Sequence, residues 1–244
     1  MKIATWNVNS IRAREDAVLD WAEETSPDVL CLQETKIIDQ EFPEDAFGDA
    51  GFDVVYYGQA TYNGVAIASQ PRVENVRRGL PGETEDDERR LIAADVGDLT
   101  VVCIYLPNGQ AFGSDKFAYK LDWMTRLRSF LEDALGRTDR LVLCGDFNIA
   151  PMDLDHHWAA SDEERLFTST QERDMLRSIM DLGLVDVWPR VHSNKRGYTW
   201  WDYRGRGFQR DEGMRIDLHL VTPAVLQDVV DIRVDRETRA AESP

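Results

Sequence analysis

The chain has 244 residues, of which 43% are hydrophobic and 30% charged, a balance typical of a folded globular domain. Its longest unbroken apolar run, residues 101–106, is too short to span a bilayer. With 28 basic and 45 acidic residues, the net charge of −17 argues by itself against nucleic-acid binding. Two arrangements escape that exclusion: basic residues gathered on one face, or acidic residues holding a cation that binds phosphate.

The three cysteines indicate a reducing compartment. Cys31, Cys103 and Cys144 each lie in an apolar run, and no Cys-x-x-Cys spacing occurs. An odd number with this spacing excludes a disulfide framework and a zinc cluster, so we expect three buried structural thiols. The N-terminus is too short in apolar residues and too polar for a signal peptide. We therefore expect a cytoplasmic protein.

Short strand-like segments run along most of the chain and a few helices interrupt them. Strands are predicted at residues 2–7, 28–33, 52–57, 64–69, 91–96, 100–106, 141–146, 185–188, 198–201, 215–221 and 228–234. Helices are predicted at residues 15–24, 115–135 and 171–182, the last with Ser169 and Glu172 as a capping box. These segments predict a single α/β domain over residues 1–244. Its architecture would be a four-layer sandwich in which two mixed β-sheets pack face to face with helices outside.

Four acid or amide side chains follow apolar strands at their C-terminal ends. They are Asn7, Glu34, Asp146 and Asn148. Strand ends are where functional side chains collect on a rigid frame, and carboxylate and amide oxygens suit Mg²⁺ or Mn²⁺. Any one of the four could equally cap a strand or a turn. Four together favour a site.

Asp217 lies inside a predicted strand, where a carboxylate needs a partner. His219 is on the same face, but side chains at i and i+2 stand parallel and bond poorly, so we expect His219 to be structural. The run Asp-His-His at residues 155–157 could bind a metal, but a solvated loop is the preferred interpretation.

Five motifs in order carry a family resemblance. They are Trp-Asn-Val-Asn-Ser-Ile-Arg-Ala-Arg (residues 6–14), Leu-Gln-Glu-Thr-Lys (32–36), Gly-Asp-Phe-Asn-Ile-Ala-Pro (145–151), Tyr-Thr-Trp-Trp-Asp-Tyr-Arg (198–204) and Arg-Ile-Asp-Leu (215–218). With these motifs the chain resembles the exonuclease III family of abasic-site (AP) endonucleases, within the endonuclease/exonuclease/phosphatase superfamily. The resemblance covers essentially the whole chain.

The resemblance implies a role for each residue of the site. Glu34 would be the main Mg²⁺ ligand (Mn²⁺ is possible), with Asn7 beside it in the ion's shell. Asp146 would activate the attacking water and Asn148 would help to hold the phosphate. The hydroxyl of Tyr105 would lie at the phosphate, although the residue alone fits a core position equally well because it ends an apolar strand. The resemblance also implies that Asn108 lies close to the phosphate and that Asp217 is a catalytic residue.

The resemblance also implies how DNA is held. Trp200, Met214 and Ile216 would line a small apolar pocket that accepts a flipped abasic sugar and excludes a normal nucleotide. From the residue types alone, we expect one of the two neighbouring tryptophans, Trp200 or Trp201, to be a core residue. Contacts to DNA phosphates are implied for Arg12, Lys36, Arg204 and Arg206.

The chain departs from the family pattern at its end. In the family a Ser-Asp-His motif follows at about this point, and then a last strand. The histidine of that motif contacts the phosphate, and Asp217 would orient it. Neither that histidine nor the last strand is present in these 244 residues. We therefore expect a truncated chain that lacks its C-terminal strand and whose own activity is in question.

The predicted function is that of a Mg²⁺-dependent DNA-repair nuclease. It would hydrolyse the phosphodiester 5′ to abasic sites in duplex DNA, with 3′-to-5′ exonuclease and 3′-end-cleaning activity. A non-catalytic DNA-damage-binding protein is the alternative, and a superfamily relative acting on RNA, lipid or sugar phosphates is a third. The expected partner is double-stranded DNA with abasic sites or 3′ ends, bound by a monomer away from any membrane.

Overall fold

The computed structural model describes residues 1–84, 87–159, 164–203 and 206–240. Twelve strands are present in these ranges. They are β1 (Ile3–Asn7), β2 (Val29–Gln33), β3 (Asp53–Tyr57), β4 (Val65–Ser69), β5 (Val73–Arg78), β6 (Leu91–Val96), β7 (Leu99–Tyr105), β8 (Leu141–Asp146), β9 (Val185–Asp186), β10 (Trp200–Trp201), β11 (Gly213–Met214) and β12 (Asp217–Val221).

Eight α-helices connect or flank these strands within the same ranges. They are α1 (Ile11–Thr25), α2 (Glu44–Asp49), α3 (Asp115–Leu135), α4 (Thr170–Met180), α5 (Val187–Val191), α6 (Gly207–Arg210), α7 (Pro223–Leu226) and α8 (Glu237–Ala240). Two short 3₁₀ turns cover Asp39–Glu41 and Asp153–Asp155. No described helix is both long enough and apolar enough to cross a membrane.

Two mixed sheets form the centre of the molecule, as the sequence predicts. The first has the order β1-β2-β4-β3, the second has the order β5-β6-β7-β8-β12-β9, and β10 and β11 form a separate hairpin. Parallel pairing joins β1 to β2 and β7 to β8, while the other pairs are antiparallel. Parallel neighbours end at the same edge, so each sheet delivers two strand ends to one side of the molecule.

Three apolar clusters separate four layers. One lies between the two sheets, one between the second sheet and helices α3 and α4, and one between the first sheet and helices α1 and α2. The predicted four-layer α/β sandwich is therefore confirmed. Cys31, Cys103 and Cys144 are fully buried in the central cluster, as expected. Hydrogen bonds with Cys103 and Cys144, and then burial, raise the pKa of Cys31 well above its usual value.

Several predicted elements differ from the observed ones. Residues 228–234 do not form a strand, and of residues 185–188 only two are strand because Asp186 accepts a hydrogen bond from the Trp188 N–H (3.2 Å) and starts α5. Strand β5 was not predicted because its exposed charged residues give no apolar alternation. Helix α1 begins four residues before the prediction, whereas the Ser169–Glu172 capping box is confirmed.

Candidate functional site

Five polar side chains meet where the ends of four strands and the start of a fifth converge. Asn7 ends β1, Glu34 follows β2, Tyr105 ends β7 and Asp146 ends β8. Strand β12 runs antiparallel to β8, so that its first residue, Asp217, lies opposite Asp146. The site therefore draws residues from both sheets and lies over the boundary between them.

The amide of Asn7 joins the two sheets. Its Nδ2 donates to Oε1 of Glu34 (2.8 Å), on the first sheet, and to Oδ2 of Asp146 (2.9 Å), on the second. The nitrogen rather than the oxygen of Asn7 therefore faces the carboxylates, because each amide proton finds an acidic acceptor. A role for Asn7 in an ion's shell requires the amide to turn and present Oδ1.

Glu34 lies on a turn of unusual backbone. Both Glu34 (φ 53°) and Lys36 (φ 52°) adopt the left-handed conformation, a strain that concentrates at functional sites. The ammonium of Lys36 lies 2.7 Å from Oε2 of Glu34 and also donates to Oδ1 of Asn9. Burial raises the pKa of Glu34, but the hydrogen bonds from Asn7 and Lys36 outweigh it, and the net shift is downward.

Asp146 is deeply buried, with 4% of its surface exposed. Burial raises its pKa to about 6, against the opposing hydrogen bonds from Asn7 and from the Asn148 N–H. The negative charge of Glu34 raises the pKa further, and the more distant cation of Lys120 lowers it. Such a carboxylate can hold or release a proton near neutral pH, which is what a general base requires.

The turn after β8 explains the Gly-Asp-x-Asn pattern. Gly145 has φ 143°, and a Cβ there would collide with the carbonyl oxygen of Ile104 on the neighbouring strand. Asn148 is left-handed (φ 50°) and its N–H donates to Oδ1 of Asp146 (2.9 Å). Its side chain donates to the Leu106 carbonyl (3.0 Å) and accepts from Nδ2 of Asn108 (3.3 Å). The two asparagines are thus brought together, as the resemblance implies.

Asp217 has no partner for one of its oxygens. Oδ1 is buried and, within the described ranges, receives no hydrogen bond, while the Thr199 hydroxyl bonds the carboxyl group. Burial, and then the charge of Asp146, raise the pKa of Asp217 well above its usual value. His219 does not pair with it, since Nε2 of His219 is itself buried without a partner in the described part.

Tyr105 contacts the hydrophobic core with its ring and the candidate site with its hydroxyl. Its ring packs against the cluster between the sheets, and its hydroxyl bonds the Glu34 carboxylate. The Arg90 guanidinium lies over the ring, 4.7 Å from its centroid, and donates to the Tyr105 carbonyl (3.1 Å). Burial raises the pKa of Tyr105, so the phenol stays protonated and can donate. Arg90 was not predicted as a site residue, because no motif marks it.

A cavity of about 1040 Å³ opens beside these residues and is lined in part by Asn7, Glu34, Asp146, Asp217 and Trp200. It continues along β1 as far as His219 and the segment 228–235.

The three residues implied for a sugar pocket are not equally placed. Trp200 pairs with Met214 in the β10–β11 hairpin and lines the cavity. Met214 and Ile216 do not line it, because their side chains are packed inside with 1% and 3% of their surfaces exposed. Trp201, also 1% exposed, is the core tryptophan of its pair.

Three of the four residues implied for phosphate contacts lie within the described ranges. Arg12 is exposed on the first turn of α1 and pairs with Glu41. Lys36 is bound to Glu34, and Arg206 is exposed immediately before α6. Arg204 lies outside the described residues.

The prediction of a solvated loop at residues 155–157 is wrong for its first two residues. Asp155 and His156 are 2% and 7% exposed. Asp155 accepts two hydrogen bonds from Arg215 (2.7 and 2.9 Å), and Asp186 accepts two more (3.0 and 2.7 Å). The buried guanidinium of Arg215, between β11 and β12, binds both carboxylates. Its bonds to Asp155 therefore hold residues 155–156 inside the protein.

The donor set fits a hard divalent cation that keeps several waters. Glu34 and Asp146 supply carboxylate oxygens, and Oε2 of Glu34 already accepts one cation, the Lys36 ammonium. No three His, Cys, Asp or Glu side chains converge as a metal cluster within the described ranges. Mg²⁺ is ordinarily held by one or two carboxylates plus water, so the carboxylates of Glu34 and Asp146 are compatible with it.

Comparisons with known proteins agree with this geometry. Residues 4–238 match the model of the Endonuclease/Exonuclease/phosphatase family. Exodeoxyribonuclease III of Haemophilus influenzae is 32% identical over 256 residues, covering 100% of this chain and 96% of its own. An exodeoxyribonuclease of Bacillus subtilis is 30% identical over 251 residues, covering 99% of this chain and 96% of its own.

Solved structures show the same fold. The 3′–5′ exonuclease NExo from Neisseria meningitidis is 45% identical with a TM-score of 0.97, covering 100% of this chain and 95% of its own. A structure of NExo, as a 3′ phosphatase bound to a product DNA hairpin, matches equally well. An AP endonuclease from Archaeoglobus fulgidus is 40% identical with a TM-score of 0.95, over 100% of this chain and 95% of its own. With this fold and these strand-end carboxylates, the chain belongs to the endonuclease/exonuclease/phosphatase family and is a nuclease of the exodeoxyribonuclease III and AP endonuclease type.

Proposed function

We propose that this protein is a Mg²⁺-dependent DNA-repair nuclease. It hydrolyses the phosphodiester 5′ to abasic sites in duplex DNA, and it digests and cleans 3′ ends. Mn²⁺ is the expected substitute for Mg²⁺. The observation that carries the proposal is the single amide of Asn7 joining Glu34 and Asp146 across the two sheets at 2.8 and 2.9 Å. That arrangement holds two carboxylates with different proton affinities on either side of one amide.

In this proposal each side chain has one task. Asp146 accepts a proton from the attacking water, Asn148 and Asn108 donate to phosphate oxygens, and the Tyr105 hydroxyl donates from the Glu34 side. Donors aimed at the developing charge are ordinarily the largest contribution to such catalysis. Asp217 lies opposite Asp146, and its raised pKa favours the protonated, neutral form, which adds no negative charge beside the attacking water.

Glu34 and Asn7 would hold the cation, with Asp146 and Asp217 nearby. When bound, a divalent cation supplies positive charge to the phosphate as negative charge develops on its oxygens. The Lys36 ammonium, which now lies at Oε2 of Glu34, would have to move aside or turn toward a phosphate.

A second candidate is 3′-end processing without abasic-site incision. It is favoured by the packing of Met214 and Ile216, which are 1% and 3% exposed and leave Trp200 alone of the three beside the cavity. A pocket for a flipped sugar needs these side chains to move, whereas a free 3′ end reaches the Asp146 edge without flipping. NExo, 45% identical, has been described as a 3′–5′ exonuclease and a 3′ phosphatase.

Three duplexes that share one sequence test the two candidates. One carries an internal abasic analogue, one a recessed 3′ hydroxyl and one a recessed 3′ phosphate, each with Mg²⁺, with Mn²⁺ and with chelator. The proposal expects metal-dependent cleavage of all three. Cleavage confined to the two 3′-end substrates would establish the second candidate. Binding of the abasic duplex without hydrolysis of any substrate would overturn both candidates and favour a damage-binding protein. The predicted monomer and cytoplasmic location stay predictions.

A further inference from the structure

Helix α3 contains a lysine where a core-facing helix normally has an apolar residue. Lys120 is completely buried, and so is Glu172 of helix α4, to which its Nζ donates. Nζ also donates to the carbonyl of Asn148 (2.8 Å) and of Asn108 (3.4 Å). The three protons of the ammonium are therefore directed to three acceptors, two of which belong to the candidate site.

The carboxylate of Glu172 is equally occupied. Besides Lys120, it accepts from the N–H of Phe167 (3.1 Å), and from the N–H and the hydroxyl of Ser169 (3.2 and 2.6 Å). A buried ion pair with all its hydrogen bonds made is stable, but an apolar pair of similar volume is often as stable or more so. Stability alone therefore does not explain why this pair is charged.

The contacts of Lys120 fix the two loops that bring phosphate-binding amides to the site. Asn148 has left-handed φ 50°, and the ammonium holds the carbonyl that follows that angle. The neighbouring Asn108 is held by its own carbonyl and donates to Oδ1 of Asn148 (3.3 Å). Lys120 is the one side chain among these contacts that binds both loops and comes from neither.

We propose that Lys120 is a positioning residue for phosphodiester hydrolysis: it holds the backbone of Asn148 and Asn108 so that their amides are aimed at the scissile phosphate. This inference rests on the proposed phosphate-binding role of those two asparagines. Lys120 itself touches no substrate, because its side chain is sealed in the interior. A small displacement of oriented groups costs on the order of 10²-fold in rate, which sets the expected effect.

The test removes the lysine without leaving a bare buried charge. The double variant Lys120→Met/Glu172→Gln retains a neutral side chain that can still bond Phe167 and Ser169. The matched control is Met124→Ala, one turn further along α3 and fully buried in the apolar cluster between α3, α4 and the second sheet. Steady-state hydrolysis of a recessed 3′ end and of an abasic duplex is measured at a temperature at which circular dichroism shows every variant folded.

We expect kcat of the double variant to fall about 100-fold on the recessed 3′ end with KM within about threefold of the wild type, while Met124→Ala loses thermal stability and keeps its kcat. Three results would overturn the inference: an unchanged kcat, a rise in KM alone, or an equal loss of kcat in the control. A double variant that does not fold would also overturn it, since a scaffold role would then suffice. A wild type that digests 3′ ends but leaves the abasic duplex intact contradicts the proposed abasic-site activity and not the role of Lys120.

Discussion

Replacing Arg215 with methionine should destabilise the protein more than any single surface change. The guanidinium is 1% exposed and makes four hydrogen bonds of 2.7 to 3.0 Å to Asp155 and Asp186. Methionine fills much of the same volume but leaves two buried carboxylates without their cation. Breaking a buried pair in this way costs about 3–5 kcal/mol. For a chain of this length that lowers Tm by roughly 6–20 °C.

Urea and thermal unfolding at pH 7.5 measure this loss. Arg177→Met is the matched control, because Arg177 pairs with Asp174 on the surface with side chains 67% and 58% exposed, and we expect no measurable change there. Arg215→Lys keeps the charge but loses the planar fork that reaches both carboxylates, so its loss should lie between the two. A loss below about 1 kcal/mol for Arg215→Met would refute the reasoning that the triad is held by this cation.

Three further predictions concern the site and its surroundings. Glu34→Ala should raise the Mg²⁺ concentration needed for half-maximal activity by about tenfold or more, because it removes a proposed ligand of the ion. Asp146→Asn should leave DNA affinity nearly unchanged and lower kcat by about 10²–10⁴, because it removes the proposed general base. Unchanged turnover of Asp146→Asn would contradict the assignment of Asp146 as the base. Duplex binding should weaken with salt at a log–log slope of about −3, since few phosphates are contacted, and salt-independent binding would contradict this. Burial lowers the pKa of His219 from 6.5 to about 4, so the unfolded chain takes up a proton in that interval and the folded one does not. Stability should therefore fall by up to about 3 kcal/mol as pH drops from 6.5 to 4, and His219→Gln should remove that part of the slope.

The positions of most strands, and the polar residues at the ends of several of them, follow from the sequence. Apolar runs that end in an acid or amide mark β1, β2 and β8, and in the structure Asn7 does donate hydrogen bonds to both Glu34 and Asp146. The central cluster of buried valines, isoleucines and cysteines matches the predicted layers. Catalytic roles for these residues stay predictions, because a contact shows placement and not chemistry.

Other parts could not be predicted because their cause is tertiary. Residues 228–234 have strand-like composition, but Val230 is 95% exposed and the segment pairs with no described strand. Lys120 interrupts the apolar stripe of α3, and only the meeting of α3 with α4 and two loops shows why a charge is tolerated there. Asp155 looks like a loop residue until Arg215, 60 residues later, is seen to bind it.

Because the site lies over the boundary between the two sheets, the spacing between the sheets sets the distances between its side chains and therefore affects activity. Cys31 on β2 and Cys103 and Cys144 on β7 and β8 pack between the two sheets, on the strands that lead to Glu34, Tyr105 and Asp146. A larger residue at Cys31 would push the sheets apart and lengthen the hydrogen bonds from Asn7 to Glu34 and Asp146. A smaller residue would bring the sheets closer, because packed interiors transmit a change of even one methylene. Stabilising this nuclease by repacking its centre would therefore alter its catalytic rate without any change to a residue that meets DNA.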